Sequence, residues 1–183
     1  NLPANAPQPV VAVFDPANAN SFNNSTSLTI YDSLGAVHTA SMYFVKTATA
    51  NTWDTHLYID GTAVGGAQAL QYSNLGAILV PVGGKITFPT YTPTTGAAPM
   101  DLTVDYSKST QYGDTFAVSA VSQDGFTTGR LIGISVDGTG VVQARFTNGR
   151  SLSLGQVALA NFANAEGLQP LGDTNWAETF GSG

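Results

Sequence analysis

A period of two runs through this chain and limits what it can fold into. Leu28 and Ile30 alternate with Thr29 and Tyr31, and Ala40, Met42 and Phe44 alternate with Ser41, Tyr43 and Val45. Trp53, Thr55, Leu57 and Ile59 alternate with Asp54, His56, Tyr58 and Asp60, and Met100, Leu102, Val104 and Tyr106 alternate with Asp101, Thr103 and Asp105. Successive strand side chains point to opposite faces, so each run describes a strand with one buried side. Helical patterning is thin. Only Leu154 to Ala165 invites a helix, and Gly155 and Asn161 weaken it. The expectation is a single helical turn near Asn164 to Leu168.

Turn residues cut the runs at short intervals. Ser33-Leu34-Gly35 closes the first pair of strands, and Asn74-Leu75-Gly76 sits in a similar setting, because Tyr31 to Ala36 and Tyr72 to Ala77 read alike. Gly35 and Gly76 supply the positive φ that tight hairpins demand. Asp137-Gly138 and Asn148-Gly149 read as two further hairpin turns, with Gly138 and Gly149 in that position. Many short strands with frequent turns predict an all-β fold, an antiparallel barrel or sandwich followed by a smaller meander. Pro3, Pro7 and Pro9 make residues 1–9 an extended lead-in. Residues 10–125 form the larger β domain, with a long polar loop at 89–99, and 126–183 form the smaller β segment.

Composition removes several functions. Only 10% of residues are charged, against roughly 25% in an average globular protein. The formal net charge is −6 with six Lys and Arg, a poor phosphate-neutralising surface, so nucleic acid is not an expected partner. No apolar run reaches the roughly 18 residues of a spanning helix, so no membrane is expected either. The absence of Cys excludes disulfides, thiolate metal sites and a cysteine nucleophile. The first nine residues have neither the basic head nor the apolar stretch of a signal peptide.

Candidate chemistry is sparse. Asp54 and His56 share a polar strand face, but no third ligand accompanies them, and zinc normally takes at least three. A solvated strand face is the expectation for His56, and the same for His38. Asp101 and Asp105 lie about 13 Å apart along one strand, beyond the roughly 6.5–9.5 Å of an inverting glycosidase pair. Asp137-Gly138-Thr139-Gly140 lacks the ligand spacing of a calcium loop. No nucleophile elbow, phosphate loop or dinucleotide fingerprint occurs. Trp53 alternates with Leu57 and Ile59, which places it in the core, while Trp176 keeps a sugar-stacking surface open. No catalytic, cofactor-binding or metal-binding residue is assigned, and the chain is not expected to be an enzyme.

The second half carries a more specific pattern. Leu159-Ala160-Asn161-Phe162, Asn164 and Gly167-Leu168 are followed by Gly172, Asn175-Trp176 and Ser182-Gly183. This run resembles the signature of the bacterial flagellar axial proteins, the rod and hook family. Leu28 to Gly35, His38 and Met42 to Lys46 are similar to the opening of the outer domain in the hook branch. Gln123 to Phe126 and Ile132 to Gly140 resemble the return strand into the inner domain of that branch. Phe146-Thr147-Asn148-Gly149 resembles its Tyr-Ser-Asn-Gly turn, with Phe-Thr a mild departure. Residues 47–120 match only loosely.

The resemblance implies a structural subunit of the flagellar hook, a helical tube that acts as a universal joint between motor and filament. It implies residues 10–125 as the outer hook domain and 126–183 as the carboxy-terminal part of the inner one. It implies no cofactor and an extracellular location reached by export without a cleaved signal peptide. The implied partners are other hook subunits, the hook cap, the rod and the hook–filament junction. Relatives begin and end in long helices that this chain lacks, so it resembles an excised middle, monomeric by itself. Exposed positions of the first hairpin and the 89–99 loop are expected neighbour contacts. The low charge suits surfaces that slide, and Glu166 and Arg145 are a candidate ion pair. Two other readings remain, a distal rod protein of the same family and a carbohydrate-binding or adhesin β module.

Overall fold

The computed structural model describes residues 1–183. They form two compact units, Asn1–Thr128 and Gly129–Gly183. Unit 1 holds ten strands: β1 (Leu2–Pro3), β2 (Asn24–Tyr31), β3 (Val37–Lys46), β4 (Thr52–Ile59), β5 (Thr62–Ala63), β6 (Gln68–Tyr72), β7 (Ile78–Val80), β8 (Lys85–Thr87), β9 (Thr103–Asp105) and β10 (Gln111–Tyr112). The main sheet is antiparallel in the order β2-β3-β4-β6-β7, with β5 paired to β4. Strands β8 and β9 make an antiparallel ribbon, and β1 runs parallel to β10.

The alternation sets the core. Trp53, Thr55, Leu57 and Ile59 of β4 are all buried, as are Ala40, Met42 and Phe44 of β3. They pack with Leu70 and Tyr72 of β6, and with Ile86, Phe88 and Tyr106 from the ribbon and its flanks. Each fully buried large apolar side chain contributes about 1.5–3 kcal/mol. The lead-in residues join this core through Leu2.

Polar groups inside the core are paired. The Trp53 indole N–H donates to Gln111 Oε1 at 2.8 Å, and Gln111 Nε2 donates to Asn51 Oδ1 at 2.8 Å. The Tyr106 hydroxyl meets Thr55 Oγ1 at 3.3 Å and donates to Met42 Sδ at 3.3 Å. Burial pushes the Tyr106 phenol up to about 12. No buried side-chain nitrogen or oxygen lacks a partner. An unpaired one would cost about 1–3 kcal/mol.

The outer face of the sheet is not simply solvated. Phe14 stacks on His56 with ring centroids 3.9 Å apart, and Phe14 and Phe22 both close on Tyr43 at 5.4 and 5.0 Å. His56 is thus half-buried under an aromatic cover supplied by the segment before β2, and that burial lowers its pKa. This corrects the expectation of an open strand face. The sequence signal is weak, because Phe14 lies in a stretch without strand patterning.

One turn recurs three times. Asp32, Ser73 and Asp137 each donate their own N–H to a carbonyl four residues on, and each accepts the N–H of the residue three on. In all three the side-chain oxygen also accepts the N–H groups two and four residues on. The backbone then needs a left-handed residue at the fourth position, and Gly35 (φ 74°), Gly76 (φ 80°) and Gly140 (φ 84°) supply it. Gly138 lies within its turn, but the positive φ falls on Gly140 rather than on Gly138. Gly149 (φ 79°) serves the turn at Asn148.

Unit 2 begins with the meander β11 (Leu131–Val136), β12 (Val141–Phe146) and β13 (Ser151–Gln156). A 3-10 turn follows at Ala165–Gly167, then the hairpin of β14 (Gln169–Gly172) and β15 (Asn175–Ala177). The helical turn expected near Asn164 to Leu168 is this 3-10 turn, capped by the Asn164 side chain, but it is not the single one: unit 1 has two more, at Ala19–Ser21 and Val82–Gly84.

Candidate functional site

Three arrangements are distinctive enough to carry function. The first is in unit 1, where His38 shares the inward face of β3 with Ala40, Met42 and Phe44 and is only 4% exposed. Its Nδ1 lies 2.6 Å from Asp60 Oδ2 and its Nε2 lies 3.2 Å from Asp32 Oδ2. The solvated strand face expected for His38 is therefore wrong. The period of two already places this ring on the buried side, and Asp32 continues the inward parity of Ile30.

Both carboxylates are well supplied with donors. Asp32 Oδ1 accepts the Leu34 and Ala36 amides at 2.9 and 2.8 Å, and Oδ2 accepts the Thr95 hydroxyl at 2.8 Å. Asp60 Oδ1 accepts the Thr39 amide at 2.9 Å. Burial alone would raise the Asp32 pKa, but the Thr95 hydroxyl, the Ala36 amide, His38 and the Leu34 amide together hold it at about 2. The Asp60 hydrogen bond raises the His38 pKa against the opposing effect of burial, and Asp32 adds to it. The His38 bond also lowers the Asp60 pKa. With each imidazole nitrogen on a carboxylate, this ring has none left for a substrate.

The second arrangement is the sheet of unit 2. Register sets Ile134 beside Ala144 and Leu152, and Val136 beside Val142. These share one face, while Ser135, Gln143, Arg145, Ser151 and Ser153 share the other. The outer strands of this apolar face are bare, with Ile134 62% exposed and Leu152 56% exposed, while Val142 on the central strand is half-buried. Ala144 is the only buried apolar residue of this unit.

The third is the carboxy-terminal signature. Asn164 Oδ1 caps the 3-10 turn by accepting the Glu166 amide, and its Nδ2 donates to the Gly181 carbonyl at 2.9 Å. The Asn164 amide donates to the Ser182 carbonyl at 3.1 Å. Buried Ser182 donates its hydroxyl to the Thr179 carbonyl at 2.8 Å and accepts the Thr179 amide at 3.0 Å. A side chain at Gly167 would run into the Gly181 carbonyl, so only glycine fits there. Gly172 (φ 91°) precedes Asp173 and Thr174, both at positive φ, which together close the β14–β15 turn. Asn164, Gly167 and Ser182 thus meet in one clasp. Leu159, Ala160, Asn161 and Trp176 are exposed, Phe162 and Leu168 are half-buried, and Asn175 opens β15.

Other sequence candidates separate. Asp101 accepts the Thr90 hydroxyl at 2.6 Å, and Asp105 lies 4.0 Å from Lys85, both exposed. Glu166 and Arg145 are not paired with each other; ion pairs join His38 to Asp32 and Asp60, and Lys85 to Asp105. No group of three or more His, Asp or Glu is disposed to hold a metal ion. The 89–99 loop is tied down, with the Ala98 amide donating to Ser33 Oγ at 2.9 Å and Thr95 bonded to Asp32.

Comparison with known proteins points one way. Residues 1–126 match the family model described as the flagellar basal body protein FlaE D2 domain. The flagellar hook protein FlgE of Escherichia coli (strain K12) is 33% identical over 187 residues, covering 100% of this chain and 46% of that protein. FlgE of Salmonella typhimurium is 34% identical over 190 residues, again with 100% and 46% coverage. The chain therefore spans about half the length of these curated relatives. The crystal structure of Helicobacter pylori flagellar hook protein FlgE2 superposes with a TM-score of 0.51 at 17% identity, covering 84% of this chain and 36% of that one. That likeness supports the all-β fold.

Proposed function

The chain belongs to the flagellar hook protein family, and on that premise we propose that it serves as part of a structural subunit of the bacterial flagellar hook. The carrying observation is the alignment of the whole chain with hook proteins at 33–34% identity. The subunit polymerises with copies of itself into an extracellular tube that transmits torque. Its further partners are the hook cap, the rod and the hook–filament junction, and it reaches the cell exterior without a cleaved signal peptide. It performs no catalysis.

In this reading residues 10–125 are the outer domain and 126–183 are the carboxy-terminal part of the inner one. The bare face of β11–β13 supports the second assignment. An amphipathic sheet must cover its apolar side to be stable, and chain present in the longer relatives is the natural cover. The 183 residues by themselves stay monomeric. The first hairpin and the 89–99 loop make neighbour contacts in the tube. Few charges on those surfaces leave them free of fixed ion pairs, so subunits slide as the joint bends.

A chimera tests this. The aligned 187-residue region of the Escherichia coli hook protein is replaced by this chain in a strain without its own hook protein. Curved hooks by electron microscopy and restored swimming are expected. A chimera that is exported and folded but builds no hook would refute the proposal.

A further inference from the structure

The Asp32–His38–Asp60 cluster does more than fill the core, and its role is independent of the hook assignment. Three separate segments converge on one imidazole. Asp32 comes from the β2–β3 turn, Asp60 from the β4–β5 turn, and Thr95 brings in the 89–99 loop through Asp32. Tyr91 of the same loop sets its ring edge-on to His38 at 6.2 Å. Asp32 and Asp60 are the charged groups facing the ring.

An ionised carboxylate can only accept, so both hydrogen bonds are made together only when both imidazole nitrogens donate. That requires the doubly protonated ring. A neutral ring would turn a lone pair on buried Asp32 or on partly exposed Asp60 and lose that hydrogen bond. We propose that protonated His38 is a clasp holding the 89–99 loop and both turns on the end of the sheet, and that loss of its proton opens this end of unit 1. His38 is therefore a positioning residue, and the device is reversible.

The direction of the shift sets the sign. The folded pKa of His38 is raised above its ordinary 6.5, so the clasp is intact below the unfolded pKa and is lost as pH rises through the raised value. Asp32, held at about 2, contributes above the ordinary carboxylate range and is lost as pH falls through its folded value. The loop is therefore locked in a window bounded by acid on one side and by His38 deprotonation on the other.

The experiment uses the 183-residue chain. His38 and His56 ring signals are followed by NMR against pH, together with hydrogen-exchange protection of four amides, Leu34, Ala36, Thr39 and Ala98. His38 is expected to titrate above 6.5 and His56 below it. Protection of the four amides, corrected for intrinsic exchange, should fall at least about tenfold across the His38 midpoint. The core Tyr72 amide, bonded to the Asn51 carbonyl, should stay constant. Unchanged protection of the four, or a His38 midpoint below 6.5, overturns the proposal. Thr95→Val gives a second reading at a pH below the midpoint. It should release Ala98 while Thr39 stays protected, and an unmoved Ala98 would refute the link to the loop.

Discussion

Units 1 and 2 use the same strand alternation and the same turn, yet they finish in opposite states of burial. In unit 1 Trp53, Leu57, Ile59 and Leu70 lie beneath a ribbon and its flanks. In unit 2 Ile134, Val136, Leu152 and Leu154 are just as apolar and remain exposed. Alternation says which face of a sheet is apolar. It does not say what covers that face, because the cover comes from elsewhere in the chain or from another chain. Truncating a side chain strongly destabilises a sealed core, whereas a bare face has little to lose.

The largest effect separates the two units directly. Trp53→Ala should cost about 3–5 kcal/mol, since it opens a cavity and removes the donor to Gln111 Oε1. Ile134→Ala in the same chain should change stability by only about 0.5 kcal/mol, as for other exposed sites. Urea denaturation of both variants measures the gap. Repeated in a full-length hook subunit, Ile134→Ala should rise to about 2–5 kcal/mol if the face is covered there. Equal costs in both settings would remove the case for a missing cover.

Turn glycines give a smaller contrast. Gly149→Ala meets open space at φ 79° and should cost only the left-handed penalty of about 1–2 kcal/mol. Gly76→Ala carries the same penalty and also brings its Cβ within 2.6 Å of the Gln111 carbonyl, so its melting temperature should fall further. If the two variants melt together, the sealed packing around the unit 1 turn is not what distinguishes it.

Tyr106→Phe sharpens the account of the sealed core. It strips the hydroxyl from Thr55 and should cost about 1–2 kcal/mol by chemical denaturation, with the alkaline phenol titration lost from the spectrum. The smallest effect is in pH dependence. Asp137 in unit 2 is held below the usual carboxylate range by the Thr139 hydroxyl and by the Val141 and Thr139 amides. Its hairpin therefore loosens only as pH falls through that lowered value. Unit 1 should loosen on the alkaline side as well, through His38. Residue-resolved NMR across the pH range would show one boundary in unit 2 and two in unit 1.

Much of the fold is legible in the sequence. The inward sets of β3 and β4, the core position of Trp53, the recurrent turn at Gly35 and Gly76 and the helical turn after Asn164 follow from local patterns, whereas the 3-10 turns at Ala19–Ser21 and Val82–Gly84 do not. Two features escape for a shared reason. As a lone polar residue after a turn, His38 reads as part of a wet face, although its parity with Ala40 and Met42 points inward. Its burial depends on Asp32, Asp60 and Thr95, which carry no common motif and come from separate turns and loops. The aromatic cover on His56 depends on Phe14, from a segment without periodicity. In the signature, the pairing of Asn164 with Gly181 and Ser182 is likewise invisible as a contact.

Local stereochemistry explains this division. A strand's period and a turn's need for glycine act between residues a few positions apart, so the sequence alone determined the all-β class, the inward faces and the turn sites. The family resemblance was legible too, because the residues of its signature lie close together in the chain. Burial of a charged imidazole and exposure of an apolar sheet depend on which distant segments come together. Only the tertiary structure decided those, because a buried charge survives where partners from other segments meet it, and an apolar face stays bare where none arrives.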